Sequence, residues 1–139
     1  MVHELDAGIK SVNTIPFGPF VLERRLAVGG SAEVFLARPR SGVAPAPRLV
    51  VKRLLPELRE DDSFSLLEHE ARMHQAVVHE NVVRIFGAGK VGNEPYLAME
   101  YVDGVDVYGL LRRAEAEQRK IPARLAVFIA YAVARALSS

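Results

Sequence analysis

The chain has 139 residues, half of them apolar and a quarter charged, with 18 Lys and Arg against 17 Asp and Glu for a net charge of +1. One domain of this size can bury a core, and the balanced charge gives no field of one sign to attract nucleic acid or an acidic membrane. Cysteine is absent, which excludes a disulfide framework, a thiol nucleophile and a thiolate metal site, and is compatible with a reducing cytoplasm. The N-terminal stretch has no basic-then-apolar signal pattern. The longest uncharged apolar run, Leu125 to Ala134, is about half of the roughly 20 residues that a membrane-spanning helix needs. A soluble, cytoplasmic chain is expected.

Residues 1–16 lack periodicity and contain Gly8, Asn13 and Pro16, which predicts a flexible lead-in. "FGPFVLERRLAV" predicts a strand to about Ala27 and "EVFLARP" a second, with Gly29-Gly30 suited to the connection. "RSGVAPAP" is a Pro-rich turn before a third strand, "RLVVKRL", around Val50 and Val51. The period then changes. From Ser63 to Val78, Leu66, Leu67, Glu70, Met73, His74 and Val77 fall at helical spacing, with Asp61, Asp62 and Ser63 as N-capping candidates. "NVVRIFGAG" and "PYLAMEYV" read as strands four and five, joined through "KVGNE". After "DGVD" come two helices, Val107 to Gln118 and Ala123 to Leu137, separated by Pro122. Strands followed by helices in this order predict an α+β fold.

Several residues in this frame carry possible chemistry. "LAVGGSAEVFLARPR", Leu26 to Arg40, is either a loop that cradles phosphates or a tight hairpin turn, and the glycines alone do not decide. Lys52 follows three apolar residues in a strand; taken alone it is a surface lysine. Glu70 shares a helical stripe with Met73, His74 and Val77 and is expected to face the core side, where a carboxylate needs a cationic partner. Lys52 is the candidate partner, and Glu68 reads as the solvated helix charge. His69, His74 and His79 have no ligand set around them and read as capping or packing residues, with no metal site. "MEYV" alone is a buried strand ahead of an Asp-Gly turn.

In this order and at this spacing the chain resembles the N-terminal lobe of a protein kinase, especially the eukaryotic-like Ser/Thr kinases of bacteria. The resemblance runs from about Phe17 to the end and divides the chain into the lead-in (1–16), a kinase-like N-lobe (17–105) and the beginning of a C-lobe (106–139). It implies a five-stranded antiparallel sheet with one regulatory helix, followed by two helices of an incomplete second lobe. The family pattern G-x-G-x-x-G-x-V falls on Ala27 to Val34, where only Gly29 matches and the outer glycines are Ala27 and Ala32. Alanine costs about 1 kcal/mol or more wherever positive φ is required, and Gly30 returns part of that freedom.

The resemblance implies ATP as cofactor, with Ala27, Gly29, Gly30 and Ser31 over the phosphates and Val34 against the adenine. Val50, where the family often has alanine, narrows the roof of that pocket. Lys52 would grip the α- and β-phosphates and pair with Glu70. Met99 falls at the gatekeeper position, Glu100 and Val102 would offer backbone groups to the adenine edge, and Asp106 would take the ribose hydroxyls. "HENVVRI" resembles the family's H-P-N-[IV]-V, with Glu80 in place of proline.

The family's H-R-D-x-x-x-x-N and D-F-G motifs, which hold the catalytic aspartate and the Mg2+ ligands, do not occur in the 139 residues, so this chain alone is expected to be inactive. The last helix is apolar nearly all round. Leaving Leu125, Phe128, Ile129 and Val133 in water forgoes about 1.5–3 kcal/mol each. The expectation is therefore a Ser/Thr kinase cut off at Ser139, with ATP and a protein substrate as partners. A partner covering the Leu125–Leu137 helix fits a second reading, in which a non-catalytic kinase-like lobe acts as a binding module. A third keeps an unrelated α+β domain with a coincidental lysine and glutamate.

Overall fold

The computed structural model describes residues 14–42, 47–58 and 62–138. Most of the expected lead-in, the centre of the Pro-rich turn and Asp61 lie outside these residues. The strands are β1 (Ile15–Phe17), β2 (Phe20–Val28), β3 (Ala32–Pro39), β4 (Leu49–Leu54), β5 (Ile85–Val91) and β6 (Glu94–Glu100). They form one sheet in the order β1-β2-β3-β4-β6-β5, with every neighbouring pair antiparallel. The sequence pattern indicated five strands; the sixth is β1, too short for alternation to reveal. It turns back on β2 through Gly18, whose φ of +53° is the left-handed conformation that glycine adopts at no steric cost. Ile15 and Pro16 thus belong to the sheet.

Side chains alternate across the sheet, and the two faces do different work. On the outer face, Phe17, Leu22, Phe35, Ala37, Leu49, Val51 and Ala98 form the main core. Tyr96 meets Phe17 and Phe20 edge-on there, at centroid distances of 5.6 and 5.4 Å, the geometry that ring quadrupoles favour. On the other face, Ile85 and Leu97 pack with Ala71 of helix α1 (Ser63–Gln75), flanked by Ala88 and Met99.

Arg53 ties the outer face together. Its guanidinium bonds Glu33 at 2.8 Å and Glu94 at 3.3 Å, and lies 5.0 and 5.6 Å from the ring centroids of Phe35 and Phe17. Glu33 takes a further bond from Arg25 at 3.1 Å. The Arg53 hydrogen bond, helped by Arg25, holds the Glu33 carboxyl below its usual pKa against the opposing effect of desolvation.

Helix α1 was expected to reach Val78 but ends at Gln75, with Ala76 as its C-cap. The β-branched Val77 and Val78 are poor helix formers, and the chain turns there to bring β5 back. Asp62 occupies the N-cap position without a side-chain capping bond. Helix α2 (Val107–Ala116) stops short of the expected Gln118, which sits in the left-handed region at φ 51°. There Gln118 N–H donates to Glu115 and Arg119 N–H to Ala114, a helix-ending motif that glycine normally serves. Helix α3 (Ala123–Leu137) has the expected span. Phe128 is 65% and Leu137 82% exposed, so most of its apolar surface is uncovered. α3 is tied to the loop after α1 by Arg135–Glu80 at 2.7 Å and by Asn81 Nδ2 donating to the Ala132 carbonyl at 3.0 Å. His79 caps that loop, its Nδ1 accepting from Asn81 N–H.

Two expectations follow. Because folding lowers the Glu33 pKa, its stabilisation is full above the ordinary carboxylate range and is lost as pH falls through the folded-state value. In thermal melts, wild type should exceed Glu33→Gln in Tm at pH 7, with the gap closing below about pH 4.5; a pH-independent gap contradicts the role given to the carboxylate. Gln118→Gly should raise stability by about 0.5–1 kcal/mol in urea melts by relieving the left-handed backbone; no gain, or a loss, shows that the strain is absent.

Candidate active site

Strand register assembles the site. Ala27 of β2 stands opposite Val34 of β3, Val34 opposite Lys52 of β4, and Lys52 opposite Leu97 of β6. One step along, Leu36, Val50, Met99 and Ile85 form the next row across β3, β4, β6 and β5. Directly opposed residues share a face, so Ala27, Val34, Val50, Lys52 and Met99 lie on the face that carries α1. Val50 is buried between its two row neighbours, and Met99 packs against the Ala71–Ile85–Leu97 cluster.

The hairpin tip over this face is closed by Gly29 N–H donating to the Ala32 carbonyl at 2.8 Å, and Leu55 N–H bonds the Ser31 carbonyl at 3.1 Å, tying the tip to the end of β4. Neither Gly29 nor Gly30 has positive φ; among the described residues the glycines that do are Gly18, Gly42 and Gly92. The backbone strain expected for alanine in this loop therefore does not arise in this conformation, and Ala32 is simply a buried strand residue.

Beneath the tip, a cleft of about 350 Å³ lies between β4 and α1, lined by Ser31, Lys52, Leu54, Leu66, Leu67 and Glu70 among others. Lys52 Nζ is 3.9 Å from Glu70 Oε1, with the two side chains 31% and 44% exposed. A long, half-exposed pair of this kind contributes less than about 1 kcal/mol to stability. The helical stripe expected for Glu70 is corrected. Met73 and Val77 are exposed, and the buried seam of α1 is Leu67 and Ala71. Glu70 stands beside that seam and looks into the cleft. A larger cavity, about 540 Å³, lies beyond the C-terminal end of α1 against His74, His79, Arg84 and Glu100; of the candidate site residues only Glu100 lines it, and it lacks the lysine–carboxylate pair.

The segment after β6 is fixed at its start. Glu100 N–H donates to the Arg84 carbonyl at 2.8 Å, and the Glu100 carboxylate accepts Arg84 N–H at 3.1 Å. Val102 is exposed. Asp106 has a structural job that the sequence reading missed: its Oδ1 accepts Gly109 N–H at 2.6 Å as the N-cap of α2. A Cβ at position 109 would come within 2.9 Å of that oxygen, which is a reason for glycine there. An Asp directly before the expected helix start at Val107 and three residues ahead of Gly109 was the available signal.

A sheet carrying a central-strand lysine against the glutamate of a single covering helix, continued by two further helices, is a protein-kinase N-lobe with the start of the second lobe. The sequence matches the family described as "Protein tyrosine and serine/threonine kinase" over residues 20–138, and the chain belongs to the protein kinase family. It is 35% identical over 123 residues to the tyrosine-protein kinase MasK of Myxococcus xanthus, covering 88% of this chain and 19% of that one. It is 33% identical over 142 residues to the serine/threonine-protein kinase PknJ of Mycobacterium tuberculosis, covering 99% of this chain and 21% of that one. The crystal structure of the Mycobacterium tuberculosis PknI kinase domain superposes with a TM-score of 0.67 at 25% identity, over 88% of this chain and 48% of that one. The chain thus spans about a fifth of the length of MasK and PknJ. Among the described residues, no helix is long and apolar enough to cross a membrane.

Asp106→Ala should cost about 1 kcal/mol through the lost cap while Asp106→Asn, an equally good capping residue, should cost a few tenths. Helix content and urea midpoints check this; equal losses in both variants contradict a capping role.

Proposed function

We propose that this chain is the ATP-binding portion of a cytoplasmic Ser/Thr protein kinase, working with Mg2+ and a protein substrate in the complete enzyme. The observation that carries the reading is the Lys52–Glu70 pair set across a cleft under the glycine hairpin. The donor set fits a triphosphate. Lys52 brings a full positive charge to the cleft, Glu70 orients it, and Ser31 adds a hydroxyl at the tip. Ala27, Val34, Val50 and Met99 supply an apolar face for a purine next to it, and Glu100 and Val102 offer backbone groups at its edge. Magnesium bound with the nucleotide would neutralise phosphate charge. The motifs that hold it in this family are absent from these residues, so the chain by itself positions nucleotide and does not transfer phosphate.

The name of PknJ supports Ser/Thr as acceptor, and that of MasK supports Tyr as the competing acceptor. The uncovered face of α3, with Val127, Phe128 and Val133 open to water, is the surface on which the rest of a kinase second lobe would pack.

Calorimetric titration of the full natural chain with Mg-ATP tests the reading. Lys52→Ala should weaken binding at least tenfold, or about 1.4 kcal/mol. Glu70→Gln should weaken it less, and Glu68→Gln should leave it unchanged. Unchanged affinity in Lys52→Ala overturns the proposal.

A further inference from the structure

The Lys52–Glu70 contact does not hold itself. At 3.9 Å and half-exposed, it is too weak to fix a helix. The apolar seam of α1 is equally slight, because only Leu67 and Ala71 are buried while Leu66 and Met73 face water. Glu70 rides about 5–6 Å from the helix axis, so rolling α1 by 30° would carry its carboxylate about 3 Å. That is enough to break the pair. Something else must stop the roll.

Two contacts at the ends of α1 do so. Near its start, Phe64 lies under Lys90 of β5, with Nζ 4.6 Å from the ring centroid. At its last residue, Gln75 Nε2 donates to the carbonyls of Phe86 at 3.0 Å and Ile85 at 3.4 Å, also on β5. Phe64, Leu67, Ala71 and Gln75 follow one another at spacings of three and four and so share a stripe. The two contacts lie roughly 16 Å apart along that stripe, with Glu70 near the midpoint and just around the helix from it. A rod held at two points on one line cannot slide or tilt, and it turns about that line only by bending both contacts away from their preferred directions. Cation–π attraction and a side-chain amide bonded to backbone carbonyls are directional and resist that turn, unlike the apolar Leu67–Ala71 seam between them.

We propose that Gln75 and Lys90 are positioning residues that clamp α1 to β5 and so keep Glu70 against Lys52. Their bearing on phosphate handling rests on the nucleotide reading given above; the clamp itself does not.

The test follows the Lys52 side-chain Nζ and Cε resonances in the full natural chain labelled at lysine, with Glu70→Gln defining the unpaired position. Gln75→Leu and Lys90→Leu should each move the Lys52 signals part of the way to that position, and the double variant should reach it. Lys90→Arg keeps a cation over Phe64 and should leave them in place. Mg-ATP affinity should fall severalfold in the double variant and no further when Glu70→Gln is added. Lys52 signals that stay put in a folded double variant overturn the clamp, even if Lys52→Ala abolishes ATP binding and the nucleotide reading stands. Signals that move as expected while Lys52→Ala leaves ATP binding intact uphold the clamp and remove only the nucleotide reading.

Discussion

The site depends on the register of a single strand. In β4 the alternation sends Val51 and Arg53 to the outer face and Val50 and Lys52 toward the cleft. A slip of one residue would exchange the faces, pushing Lys52 among Phe17 and Phe35 and presenting Arg53 where nucleotide is to be held. Val51, with no exposed surface, resists the slip by packing. Arg53 resists it with direction, because its two carboxylate partners stand on the strands at either side, Glu33 on β3 and Glu94 on β6. The arginine that touches nothing in the cleft is thus what keeps the neighbouring lysine in it.

This lock has an energetic cost. The Arg53 side chain is 18% exposed, its Nε is buried without a hydrogen-bond partner, and desolvation works against the charge on Glu33. Buried ion pairs often add little net stability over apolar packing, and their best-attested use is to fix one register among several. That fits this strand, where apolar contacts alone would accept Leu49, Val50 or Val51 on either face. Two faces therefore carry two kinds of chemistry, an aromatic and ionic layer outside and a sparsely packed helix inside that is held to β5 near both ends. That helix carries Glu70.

Much of this was legible in the sequence, for reasons that differ by element. The limits of α3 could be read from Pro122 and an unbroken apolar run. Lys52 and Glu70 could be paired because a strand lysine and a helix carboxylate sit at the spacing of a known family, and the structure brings them to 3.9 Å. β1 was missed because three residues cannot show a period. The seam of α1 was misplaced because Leu66 and Met73 are large and apolar yet face water, while the inward residue is the small Ala71. Asp106 was read for ligand chemistry, although a helix expected from Val107 already made the aspartate before it an N-cap candidate. Gln118 gave no signal, since a non-glycine at positive φ runs against residue preference. The roles of Ala27, Gly29, Gly30, Val34, Val50, Glu100 and Val102 toward a nucleotide come from the family likeness; strand register brings Ala27, Val34 and Val50 to one face beside Lys52.

The nucleotide proposed for this chain belongs in the β4–α1 cleft and not in the larger cavity beyond the end of α1. Backbone amide mapping by NMR, with a non-hydrolysable ATP analogue and magnesium added to the full natural chain, tests it most directly. Nucleotide in the β4–α1 cleft should shift Ala27 to Val34, Val50 to Arg53, Glu70 and Met99 to Val102. Shifts concentrated instead at His74, His79 and Arg84, with Lys52 and the hairpin silent, would contradict it.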